Sequence, residues 1–185
     1  GLIDFQNVLT ATSVTAAAQA FAIDFAAAPN VSGLGNFDNT GGSTFDAGGC
    51  FGGGLDVATS TTTAAGAFTT TNDAITLQAL TLTADTSFDS AGGNVAIGDV
   101  TSAGFALTLD ALDTGTINVA SLAGDGDLTV IDSAGATFAG GVAASTVTLT
   151  DTPGTIAFNG NTPISTQLAT ASQPNTLAFT GANPT

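Results

Sequence analysis

Lysine, arginine, histidine and glutamate are all absent from this 185-residue chain, as are methionine, tryptophan and tyrosine. Its 15 charged side chains are all aspartates, so the formal net charge is −15. Without a basic side chain no side-chain salt bridge can form, and no guanidinium or ammonium is available to hold a phosphate or a carboxylate. Without imidazole or lysine there is no proton shuttle of the usual kind, no Schiff base and no isopeptide crosslink. The chain is therefore not expected to be an enzyme. Nucleic acid is not an expected partner, because its binding depends on Lys and Arg neutralising phosphates. Docking on anionic membranes is disfavoured for the same reason. The single cysteine, Cys50, rules out an internal disulfide framework. It lies in Gly48-Gly49-Cys50-Phe51-Gly52 and reads either as an inert thiol or as one half of an intermolecular disulfide. No His or Lys is present to activate it as a thiolate. An uninterrupted apolar run of about 18 residues is also missing, which excludes a membrane-spanning helix. The Ala-rich stretch from Ala16 to Ala28 is broken by Gln19 and Asp24. These residues contain no basic segment of the kind that opens a secretory leader.

What is present suits a wall of backbone hydrogen bonds and small packed side chains. Apolar residues make up 43%, too many for a disordered acidic chain. The 33 Thr and 24 Gly favour strands and tight corners. All twelve aromatics are Phe, so most of the apolar content sits in Ala, Val, Leu and Ile, which favours thin layers over one bulky core. The length fits one domain or one elongated repeat body.

Three zones follow one another along the chain. In residues 1–32 an opening strand-like run precedes the Ala-rich stretch. There Phe21, Ile23 and Phe25 alternate with Ala22, Asp24 and Ala26, which is strand periodicity. Ala17, Phe21 and Phe25 would equally share one helix face ended by Pro29, and the balance tips only slightly to strand. Residues 33–54 are Gly-rich and read as turns or a long loop pinned by Phe37, Phe45 and Phe51. From about residue 55 the pattern becomes periodic. A triplet recurs as Leu80-Thr81-Leu82, Leu107-Thr108-Leu109, Leu128-Thr129-Val130 and Val147-Thr148-Leu149, with Leu177-Ala178-Phe179 as a degenerate copy. Between the triplets comes a glycine-led apolar motif at Gly93, Gly115, Gly135 and Gly154, advancing by 22, 20 and 19 residues. Two markers sharing a period of about 20 signal stacked repeats. The expected organisation is an N-terminal strand or cap with the Gly-rich segment in 1–54 and a β-repeat body in 55–185, forming one structural unit.

Each repeat holds two or three strands of three to five residues between turn residues. That is the arrangement of an all-β solenoid with about 20 residues per coil. Leu107, Leu109, Ile117 and Val119 would face inward and stack on their counterparts one coil away, about 4.8 Å along the axis. The competing fold is an antiparallel β-sandwich, which also shows short strands at intervals of about 8–12 residues.

Residues 75–160 resemble the degenerate repeats of large secreted bacterial proteins of the filamentous-haemagglutinin and autotransporter-passenger type. The likeness lies in LTLTADTSFDSAGGNVAIGDV, LTVIDSAGATFAGGV and VTLTDTPGTIAFNGNT. It implies a right-handed parallel β-helix that is exported and works at or beyond the cell surface.

Aspartates are the only candidate site-formers. Asp125 and Asp127 in Gly124-Asp125-Gly126-Asp127 are similar to fragments of calcium-binding Gly/Asp turns. Asp110 with Asp113, and Asp85 with Asp89, are further candidates for calcium, a cation that takes several hard oxygens. The alternative is that Asp sits in turns because its side chain bonds nearby backbone amides. The Thr runs 61–63 and 69–71 fit solvent-facing strands, though they also suggest O-glycosylation or an ice-binding array. Asn30-Val31-Ser32 is a glycosylation sequon.

The function expected is that of an extracellular structural subunit that assembles with copies of itself into a fibre or sheath. The alphabet is inert, and a solenoid ends in open strand edges. The apolar segments Leu2 to Val8 and Ile164 to Phe179 lie outside the periodic region and have no evident partner within it. Leu2, Ile3, Phe5, Val8, Leu177 and Phe179 are therefore the candidate assembly residues. Two alternatives stand beside this: an adhesive or receptor-binding segment of a larger surface protein, and an ice- or glycan-binding module.

Overall fold

Short runs in which Val, Ile, Leu or Phe alternate with Thr and Ala want a surface buried on one face only. The chain provides one by coiling. The computed structural model describes residues 1–171 and 174–181, with eighteen strands and, among the described residues, no helix. All strand pairings are parallel, with partners about 20 residues apart, as in Leu2 with Ala22, Ile75 with Val95 and Ile156 with Leu177. Parallel neighbours cannot be joined by a tight hairpin. Here each strand meets its partner only after the chain has completed a coil. The molecule is a β-solenoid, which sets aside the antiparallel sandwich.

Three ladders run the length of the stack. The first begins with Leu2–Phe5, Ala22–Phe25 and Ser43–Phe45 and continues through 61–64 and 79–82 to 99–101 and 121–123. The second begins with Thr10–Ala11, Asn30–Val31 and Gly48–Phe51. It goes on through 67–70, 86–89 and Leu107–Asp110 to 128–130, 147–149 and 168–170. The third has nine rungs, from Val14–Ala16 and Gly35–Phe37 through 55–57, 75–77, 95–97, 117–119 and 136–138 to Thr155–Phe158 and Thr176–Phe179. Several strands turn a corner without losing extended geometry. Leu55–Thr70 serves all three ladders, and irregularities in its pairing with Ile75–Asp89 fall between Leu77 and Ala79 and between Leu82 and Thr86.

Two expectations from the sequence change here. The passage 33–54 is not a loop: it holds the strands Gly35–Phe37, Ser43–Phe45 and Gly48–Phe51, each in register with the coils on either side. Its glycines fit the small space between coils. Gly48 has φ 78°, and a Cβ there would collide with the backbone of Ala67 one coil on. Likewise, Leu2–Phe5 and Thr176–Phe179 are not outside the repeats but form rungs of the first and third ladders. Within 16–28 the chain is extended at Ala22–Phe25, so the helical alternative falls away.

The three ladders enclose one apolar interior. The triplet and glycine-led motifs supply Leu107, Leu109, Ile117, Val119, Leu128, Val130, Val147 and Leu149, all buried in one cluster. Phenylalanines fill the ends of this column in register. Phe5, Phe25 and Phe45 stack face to face with centroids 5.0 Å apart at both steps. Phe138, Phe158 and Phe179 do the same at 4.9 and 5.1 Å. Edge-to-face contacts join ladders: Phe45 meets Phe37 at 5.7 Å, Phe51 at 6.0 Å and Phe68 at 5.5 Å. Such pairs contribute about 0.5–1.5 kcal/mol each beyond area burial.

Polar atoms that enter the interior mostly find backbone partners at corners. The Thr70 hydroxyl donates to the Asp73 carbonyl at 2.6 Å and the Ser90 carbonyl at 3.2 Å. Ser90 in turn donates to the Gly93 and Asp110 carbonyls, and the Ser133 and Thr152 hydroxyls lie 3.2 Å apart. Thr62 is an exception: its Oγ1 is buried without a partner, in register between Ser43 and Leu80.

Candidate functional site: the two end coils and the acidic edge

A rung at the end of a stack is paired on one side only, and its apolar side chains are covered from one side only. Leu2–Phe5 pairs with Ala22–Phe25, and among the described residues nothing pairs with its outer edge. Leu2, Ile3 and Val8 are exposed, with Leu2 the most open at 61%. Phe5 is half-buried, one ring face on Phe25 and the other turned away from the stack. A cavity of about 190 Å³ lies among the side chains of the first two coils, lined by Ile3, Phe5, Val14, Ala16, Phe21 and Ile23. At the opposite end Thr176–Phe179 pairs with Thr155–Phe158, and Ile164–Thr170 pairs with Ala144–Asp151. Leu177 is half-buried, while Leu168 and Phe179 are 37% and 45% exposed. The six assembly candidates therefore fall on the two terminal coils, four at one end and two at the other.

Charge is distributed unevenly between these ends and the body. No aspartate follows Asp151, and the first coil carries Asp4 alone. The remaining carboxylates run along the sides. Asp89 is in register with Asp110, and Asp132 with Asp151. Burial pushes the Asp132 carboxyl above its ordinary value, and the charges of Asp113, Asp151 and Asp110 push it the same way. One of its oxygens is enclosed without a hydrogen-bond partner. Nearer the first coils, burial, Asp46 and Asp4 raise Asp24 in the same manner.

Most other aspartates cap nearby backbone. Asp127 accepts the Thr146 amide at 3.0 Å, Asp110 the Leu112 amide at 3.1 Å, Asp85 the Ala106 amide at 2.9 Å and Asp89 the Ala91 amide at 2.8 Å. These bonds match the turn role expected of Asp. Asp110 and Asp113 share the electrostatic neighbourhood of Asp132, whereas Asp125 and Asp127 lie on a separate turn. Among the described residues no group of three or more His, Cys, Asp or Glu side chains is gathered so as to hold a metal ion. Asp132 and Asp151 were not evident as partners in the sequence, because neighbours in a solenoid are a full coil apart.

The threonine runs divide between faces. Thr61 is exposed and Thr62 inward, and Thr63 belongs to an outward column Thr44, Thr63, Thr81, Thr101 on consecutive coils. Cys50 is exposed on the second ladder and accepts a hydrogen bond from the Thr69 hydroxyl at 3.3 Å. No family model, no curated protein and no solved structure matches the chain, so the fold and these surfaces carry the functional argument.

Proposed function

We propose that the chain is an extracellular structural subunit that stacks end to end into a fibre or sheath. One observation carries the reading: both terminal coils present unpaired parallel edges of the same ladders, and both are almost free of charge in a molecule of net charge −15. Stacking one copy on the next by translation keeps strand direction, in–out alternation and ladder identity. Such a head-to-tail contact does not close on itself, so it grows a filament. Backbone pairing gives it direction without any charged side chain. The side-facing carboxylates would repel between and within copies, and cations, calcium foremost, would relieve that repulsion. The solenoid also supports kinship in kind with secreted β-helix surface proteins of the filamentous-haemagglutinin and autotransporter type.

The test is assembly of the full 185-residue chain followed by sedimentation and negative-stain microscopy over a range of concentrations. Filaments one solenoid wide are expected, and removal of residues 1–10 should abolish them while circular dichroism keeps its β signature. A chain that stays monomeric throughout would refute the proposal. A second reading, an ice- or glycan-binding module, is favoured by the column Thr44, Thr63, Thr81 and Thr101. It requires binding by monomers, which the same sedimentation run with ice or glycan present would detect.

A further inference from the structure

The end-on proposal concerns backbone edges; the side chains at the two ends add a register to it. Followed coil by coil along the third ladder, Phe179 occupies the position that Ala16 occupies at the other end. Phe179 closes a stack with Phe138 and Phe158 at centroid spacings of 4.9 and 5.1 Å, and 45% of it is exposed. Its outer ring face has nothing stacked on it among the described residues. At the opposite end the same ladder position shrinks to a methyl group. The cavity of about 190 Å³ opens beside it, walled by Ile3, Phe5, Val14, Phe21, Ile23 and Phe25. An apolar cavity of about 150 Å³ is enough to admit benzene.

We infer that the Phe179 ring of one copy seats in the Ala16 cavity of the next, with Leu177 placed over Val14. The occupant is a second copy of this chain, and the inference rests on the end-on reading above. Three features fix that choice. The protruding ring and the receiving cavity lie on the same ladder, so continuing the coil register brings them together. All ladders are parallel, so the copies need no inversion to meet. Residues 152–181 contain no aspartate, so the incoming coil sets no carboxylate against Asp4. The contact extends the apolar column from one molecule into the next, and a central aromatic anchor in a desolvated pocket is where binding energy concentrates.

Two substitutions in the full chain test this, one at each end. Phe179→Ala removes the ring, and Ala16→Asp puts a carboxylate where the ring would sit. Each alone should weaken association by at least about thirty-fold, the loss expected on truncating an aromatic anchor. Mixed in equal amounts, the two variants should give dimers and nothing longer, because each keeps one intact end and the intact ends are complementary. Circular dichroism and melting verify that both are folded, and Val14→Asp replaces Ala16→Asp if the latter does not fold. If the folded variants polymerise like the unmodified chain, the Phe179–Ala16 register is wrong and end-on assembly stands. If the unmodified chain itself never assembles, the register and the underlying proposal fall together.

Discussion

Phe45 is the side chain whose loss should be felt most, and the damage should stay local. It is fully buried, stacks on Phe25 at 5.0 Å and meets Phe37, Phe51 and Phe68 edge-on at 5.7, 6.0 and 5.5 Å. Phe→Ala in a core costs about 3–5 kcal/mol. Four aromatic partners and a cavity that rigid coils cannot collapse place Phe45→Ala near the upper end, at about 4–5 kcal/mol. For a chain of this size, that corresponds to a fall in Tm of about 8–20 °C if it melts as one unit. A stack in which each coil touches only its neighbours distributes such a loss unevenly. Hydrogen exchange read by mass spectrometry should therefore show protection falling by about three orders of magnitude in peptides around residues 22–70. Peptides covering 107–158 should keep theirs. Equal loss in every coil would refute the nearest-neighbour picture, and a loss below about tenfold around Phe25 and Phe68 would refute the cavity estimate.

The other predictions concern groups that are buried at a disadvantage. Thr62→Val removes a hydroxyl that has no partner; stability should rise by about 1–3 kcal/mol, seen as a higher urea midpoint at unchanged slope. Asp24 and Asp132 are both raised, so the folded chain holds their protons more tightly than the unfolded chain does. Their protonation stabilises fully below the ordinary value of 3.8 and is lost as pH rises through the folded-state values. Tm should thus decline across that window, and Asp132→Asn should raise Tm at neutral pH and flatten the decline; an unchanged profile would discount the acidic edge.

Much of the coil period could be read from residues 75–160, because leucine triplets and glycine-led motifs are repeated there as words. The first coils obey the same period in a different vocabulary. Their strands are as short as Thr10–Ala11 and Asn30–Val31, too brief to show alternation. Phenylalanine was the available signal: Phe5, Phe25 and Phe45, Phe68 and Phe88, and Phe138, Phe158 and Phe179 each recur at 20 or 21 residues. A search for triplets passes over it. Phe21 and Phe25 also share a helix face, and only the rings of Phe5 and Phe45 on either side of Phe25 decide for strand. For the carboxylates the difficulty was similar. Sequence proximity suggests Asp110 with Asp113 and Asp125 with Asp127, whereas Asp132 has its in-register partner in Asp151, 19 residues on. The terminal segments read as unpaired because the rungs that pair them fall outside the triplet pattern.

The three parallel ladders also give the molecule a mechanical direction. Hydrogen bonds between coils point along the solenoid axis, so tension applied between the two end faces is shared at every level by three strands at once. Tension applied through the two termini of the polypeptide meets a different object, since it strips one strand at a time from the end of the stack. Each coil released yields about 70 Å of extended chain at roughly 3.3–3.6 Å per residue. The same bonds make a stiff strut when loaded as a column and an easily unwound thread when loaded as a chain.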